Sequence, residues 1–164
     1  MLAKVASCAL MGLEGVAIQV EVDVARGFPS LTMVGLPDAA VKESTERVRA
    51  AMRNAGLTFP GSRITINLAP ADIRKVGPIY DLPIAVGLLV ASQQAWPHAV
   101  EDALFIGELS LDGSVGHVDG ILPIAATARQ LSIRRAFVPA VDAPEAALID
   151  DLEVIPVTDL GQLT

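Results

Sequence analysis

The stretch from Leu82 to Ala91 is apolar on every side and carries no charge. A membrane span needs roughly 20 such residues, so this run is too short to cross a bilayer and belongs inside a protein core. A helix that is apolar all round is a buried one. The sequence therefore predicts a central helix over 82–93, capped by Asp81 and with Pro83 tolerated in its first turn.

The layers that would cover it follow from periodicity. Val16, Ile18, Val20, Val22 and Val24 alternate with Ala17, Gln19, Glu21 and Asp23, a period of two that predicts a strand. The run Ala3 to Leu10 precedes it across a short Gly-containing connection, so the two should form a hairpin. Leu31 to Val34 reads as a third short strand. Asp38 should cap a helix with Val41, Val48, Met52 and Ala55 on its apolar stripe and Gly56 at its end. Its other face carries Lys42, Glu46, Arg49 and Arg53. Arg63 to Leu68 resumes the strand pattern, with Ile64, Ile66 and Leu68 on one face.

Further on, Ala103 to Leu111 predicts a strand entering a tight hairpin at Asp112-Gly113. Asp119 is expected to cap a third helix over 121–130, again with an early proline, Pro123. A strand at Ala136 to Val138, a helix near Glu145 to Ile149 and a strand at Val154-Ile155 close the pattern. The fold class is α/β (α+β): a two-layer sandwich with an antiparallel N-terminal sheet followed by helix–strand units.

Composition narrows what such a chain does. Hydrophobic residues are 52% and charged ones 19%, which excludes a disordered chain, while aromatics at 4% leave the core to aliphatic side chains. The net charge of −7 argues against a protein that coats nucleic acid over its whole surface. The charge is uneven, however. Between Lys42 and Lys75 lie seven basic and three acidic residues, a segment of +4 inside an otherwise acidic chain. That segment is either a basic face for an anionic partner or a solvated helix surface with local pairs such as Glu43–Arg47 and Glu46–Arg49. The single cysteine, Cys8, allows no intramolecular disulfide and fits a reducing compartment. Val5-Ala6-Ser7-Cys8 matches a lipobox in letters but lacks the leader that lipidation requires. A cytoplasmic location with no membrane partner is expected.

Catalytic signatures are sparse. No Gly-x-x-x-x-Gly-Lys-Ser/Thr occurs, so the chain has no phosphate-cradling loop of the P-loop type. His98 and His117 have no metal-ligand spacing to each other or to Cys8. His117-Val118-Asp119 reads as a turn histidine beside a helix-capping aspartate, and no metal is expected. Asp72 and Asp81 could be set up as paired carboxylates, but one falls on a loop and the other at a helix start.

Four segments together resemble one family. They are Val34-Gly35-Leu36-Pro37-Asp38-Ala39-Ala40-Val41-Lys42-Glu43-Ser44, continuing through Glu46-Arg47-Val48-Arg49-Ala50-Ala51; Arg63 to Asp72; Tyr80-Asp81-Leu82-Pro83-Ile84-Ala85-Val86-Gly87; and Phe105 to Gly113. This series is similar to the N-terminal domain of the ComM/YifB, or Mg-chelatase-like, AAA+ ATPases, and the resemblance covers essentially the whole chain. It implies a fold shared with the Lon protease domain and with domain 2 of ribosomal protein S5, occupying residues 1–164 as one domain. It also implies that an AAA+ module, binding ATP and Mg, follows beyond the last residue, where the chain is expected to end at a domain boundary. Family members of this kind are hexameric helicases implicated in DNA branch migration during natural transformation.

The Lon likeness also implies where a serine–lysine dyad would sit. The serine position falls at Asp81, or at Ile79 if Gly77-Pro78 is aligned instead, and the lysine position falls at Leu122. No lysine occurs after Lys75. The chain is therefore expected to be non-catalytic, with no cofactor of its own. Three functions remain on the table. The first is an assembly and DNA-contact domain, with Lys42, Arg49, Arg53, Arg63, Arg74 and Lys75 on phosphates and the other faces against the ATPase module and neighbouring subunits. The second is a purely structural or oligomerisation domain without DNA affinity. The third is a hydrolase with an unrecognised site.

Overall fold

The hairpin predicted by alternation forms, and the rest of the molecule is built outward from it. In the computed structural model, which describes residues 1–164, β1 (Leu2–Met11) and β2 (Glu14–Ala25) pair antiparallel from Leu2 opposite Asp23 to Met11 opposite Glu14. Gly12, at φ +67°, opens the two-residue turn between them, a conformation glycine adopts without a Cβ penalty.

β3 (Ser30–Val34) leads through α1 (Ala39–Lys42) and α2 (Ser44–Asn54) to β4 (Arg63–Ala69). β4 pairs parallel with β3 and antiparallel with β2. α3 (Asp81–Ala91) follows, then β5 (Ala103–Phe105), β6 (Glu108–Leu109), β7 (Val115–Gly116), α4 (Ile121–Gln130), β8 (Arg135–Pro139), α5 (Ala143–Ala146) and β9 (Glu153–Val157). The main sheet has seven strands in the order β3-β4-β2-β1-β5-β8-β9, and β6 with β7 makes a separate ribbon. The expected α/β sandwich forms, but its N-terminal part is mixed rather than antiparallel throughout, since β2 runs antiparallel to β1 and β4 while β3 joins β4 in parallel, and helices cover both faces of the sheet rather than one.

All eleven residues of α3 are buried, as its all-round apolarity requires. It lies over the hairpin with α2 beside it. Val5, Val20, Val22, Ile64, Ile66 and Phe105 face it from the strands. Strand alternation sends Cys8, Leu104, Ile106, Ala136 and Val138 to the opposite face, where Ile121, Ile124 and Ala125 of α4 cover them.

Four local expectations are corrected. The helix predicted from Asp38 onward is two helices, broken at Glu43. Asp38 does cap the first, accepting from Val41 N–H at 2.8 Å. The Ala40 carbonyl is taken by the Arg47 guanidinium at 2.7 Å, which competes with the bond that would continue the helix. Asp81 does not cap α3, since its carboxylate turns inward. The strand predicted over 103–111 stops at Phe105 because Gly107 anchors the start of α3: its carbonyl accepts from Leu82 N–H and its own N–H donates to Ile79. Asp119 does not cap α4 either. Gly120 sits there at φ +76°, and Asp119 reaches back to His117.

Candidate nucleic-acid interface

Arg49 and Arg53, one helical turn apart on α2, are both exposed, as are Lys42 at the end of α1, Arg63 at the start of β4 and Arg74 after β4. None of these five cations lies within 4.0 Å of a carboxylate; the ion pairs of the fold are Lys4–Glu21, Arg47–Glu43, Arg47–Asp81 and those of His117. The predicted Glu43–Arg47 pair forms at 3.6 Å. The predicted Glu46–Arg49 pair does not. The Arg49 guanidinium instead lies 4.2 Å from the centre of the Phe59 ring, a cation–π contact that holds the charge at the surface.

Lys75 must be removed from the predicted face. It is fully buried, and its ammonium donates to the Gly35 carbonyl at 2.8 Å and to the Pro70 carbonyl. Burial pushes its pKa below the usual lysine value. A sequence count treats every lysine as surface charge, whereas this one ties the β3–α1 connection to the loop after β4. Four of the five remaining cations fall into two groups. Arg49 approaches Phe59, whose loop runs into Arg63, at the end where β4 begins. Arg74 lies just beyond the other end of β4, about 20 Å along the strand, and Lys42 follows Asp38, which bonds the Lys75 backbone there.

Sequence reasoning missed Arg26, Phe28 and Phe59, which share the Arg63 end. Ala25 pairs with Arg63 and Ser30 N–H bonds Ser62, bringing the 26–29 loop beside the 59–63 loop. Arg26 is exposed, and Phe28 is 93% exposed. A cleft of about 160 Å³ between the two loops is lined by Pro29, Arg49, Phe59 and Ser62. The legible signal was Arg26-Gly27-Phe28-Pro29, an aromatic in a turn sequence beside an arginine.

The residues that the Lon resemblance would put at a dyad, Asp81 (or Ile79) and Leu122, include no serine and no lysine. Asp81 is fully buried and accepts from Arg47 Nε at 2.7 Å, a second Arg47 nitrogen at 3.0 Å and Leu109 N–H at 3.1 Å. Burial pushes the Asp81 carboxyl up against the opposing pull of Arg47, and Asp81 in turn holds Arg47 more firmly charged. Leu122 is half-buried on α4 and carries no titratable group. Asp72 is exposed on its loop while Asp81 is sealed inside, so the two do not act as a carboxylate pair. His117 is held on both sides, with Nδ1 2.5 Å from Asp142 and Nε2 2.9 Å from Asp119.

No helix is long and apolar enough to cross a membrane. The family described as "Subunit ChlI of Mg-chelatase" matches residues 20–142. The chain is 43% identical over 150 residues to the competence protein ComM of Haemophilus influenzae, which covers 92% of this chain and 29% of that protein. It is 44% identical over 142 residues to the uncharacterized protein YifB of Escherichia coli, covering 87% of this chain and 28% of that one. A fainter likeness, 25% over 166 residues, joins it to the Lon protease of Mycolicibacterium smegmatis, covering 94% of this chain and 21% of the protease. The chain thus spans about a third or less of the length of the curated relatives it matches. With a family match over most of its length, the chain belongs to the Mg-chelatase-like AAA+ family that includes ComM and YifB.

Proposed function

We propose that this chain is a non-catalytic DNA-contact and assembly domain of a ComM/YifB-type AAA+ ATPase. The observation that carries this reading is the set of five exposed cations, Lys42, Arg49, Arg53, Arg63 and Arg74, without carboxylate partners in a chain of net charge −7. A cation left unpaired on an acidic molecule is free to meet phosphate. Such contacts carry no sequence information, so binding is non-specific and steeply salt-dependent. The relative named a competence protein supports a role in handling transforming DNA, with helicase or branch-migration work done by the whole protein. The remaining two-thirds of the relatives' length is assigned to the ATPase module, which would bind ATP and Mg and assemble as a hexamer.

A purely structural role is favoured by a different observation. The one basic residue at the heart of the segment, Arg47, is fully committed to Asp81, Glu43 and Ala40. Fluorescence anisotropy with single-stranded, duplex and forked DNA at low and moderate salt separates the two. Salt-sensitive binding that Arg49→Ala plus Arg53→Ala removes supports DNA contact, while absence of binding at low salt leaves the structural role.

A further inference from the structure

We infer that the cluster of Phe28, Phe59, Arg49 and Arg63 is a stacking site for unpaired bases of a nucleic-acid strand; this rests on the DNA-contact reading and sharpens it. The chain has only four phenylalanines. Two of them, Phe105 and Phe137, stack on each other inside the fold with centroids 4.4 Å apart. The other two are both at the end of the sheet where β4 begins. Phe28 presents nearly its whole side chain to water, a cost in apolar exposure that no contact within the chain offsets. Phe59 is capped by the Arg49 guanidinium. Gly27 brings the Phe28 loop against Arg63, since a Cβ built on Gly27 would lie 3.5 Å from the Arg63 Cβ. Arg26 adds a further exposed cation to the loop.

An open ring, Phe28, on a loop beside Arg63, and a second ring, Phe59, held under Arg49 on the adjoining loop, offer the chemistry that binds single strands. Bases stack on the ring, arginines follow the phosphates, and recognition tolerates any base because every base has a π-face. A duplex hides those faces in its own stack, so the site selects an unpaired segment or a frayed end.

The test uses three probes of matched charge against the 164-residue chain: a thymidine oligonucleotide of about 15 nucleotides, an abasic strand of equal length, and a short duplex. Anisotropy at low salt should give about tenfold tighter binding of the thymidine strand than of the abasic one. Phe28→Ala should abolish that preference while leaving abasic and duplex binding unchanged, and Phe28→Tyr should keep it. Because Phe28 is solvent-exposed, these variants keep the core intact. A preference that is missing in the wild type, or that survives Phe28→Ala, overturns the stacking site and leaves phosphate contact standing. A Phe28→Ala variant that changes self-association instead assigns the ring to a protein contact, which overturns it too. Failure of the underlying DNA reading looks different, with no salt-sensitive binding to any of the three probes.

Discussion

The Arg47 guanidinium grips the buried Asp81 carboxylate with two nitrogens, at 2.7 and 3.0 Å. Through this pair α2 is tied to the start of α3, and through Leu109 N–H, bonded to the same carboxylate at 3.1 Å, β6 is tied to both. Asp81 is thus a structural junction of three elements. Removing one partner of a buried pair leaves the other charge uncompensated, at a cost of about 3–5 kcal/mol. Arg47→Ala and Asp81→Ala should each lower unfolding stability by that order in urea titrations, with little change in m-value. A loss below about 1 kcal/mol for either would show that the junction does not hold these elements together.

Lys75 and the Arg49/Arg53 pair should separate stability from binding. Lys75→Met keeps the volume but loses two charge-assisted bonds to the Gly35 and Pro70 carbonyls, so it should destabilise by about 1–3 kcal/mol. Its DNA affinity should match the wild type, because the ammonium never reaches solvent. Arg49→Ala plus Arg53→Ala should do the reverse, leaving stability nearly unchanged and flattening the plot of log affinity against log salt by about 1.5. Weakened binding by Lys75→Met at unchanged stability would put Lys75 back on the surface.

The elements with strong periodicity were legible in the sequence because one principle governed them. The 16–24 alternation and the apolar 82–91 run each had a single way to bury themselves. Misreadings fell where a side chain had two possible partners. Asp81 and Asp119 both stand at helix starts, and capping is the local rule, but Arg47 lies 34 residues away from Asp81 in sequence and outbids the free N–H groups of the first turn. The 103–111 strand failed through the backbone instead, since the Gly107 carbonyl and N–H are taken by Leu82 and Ile79 rather than by a neighbouring strand. Charge counting picked out Arg49, Arg53 and Arg63, which are exposed, but it could not see that Lys75 folds inward or that Phe59, from another loop, lies under Arg49.

Tyr80 offers a test of packing alone. It is fully buried between Gly77-Pro78 and α3, and its hydroxyl has no hydrogen-bond partner in the chain. Burial drives its pKa well above the ordinary tyrosine value. A buried polar group without a partner costs about 1–3 kcal/mol, and phenylalanine fills the same space without it. Tyr80→Phe should therefore raise the unfolding free energy from urea titrations by about 1 kcal/mol. Destabilisation by the same substitution would mean that the hydroxyl is bonded in solution.

His117 should make the stability of the chain depend on pH. Asp142, itself buried, faces Nδ1 and uses its other oxygen to accept Val118 N–H at 2.8 Å, so the segment entering α4 is pinned to the turn that precedes α5. Asp142 first, then Asp119, raise the folded-state pKa of His117 above its ordinary 6.5. A raised basic pKa means that the folded state binds the proton more tightly than the unfolded state does. The stabilisation is therefore whole below pH 6.5 and is lost as the pH climbs through the raised value. Thermal midpoints of the wild type and His117→Gln should differ most at mildly acidic pH and converge as the solution becomes alkaline. The salt dependence should follow the same course, because the ring is more than half exposed and its charge is screened. Parallel midpoint curves across that range would mean that the imidazolium adds nothing beyond a neutral hydrogen bond, and the pin at Asp142 would then rest on Val118 N–H alone.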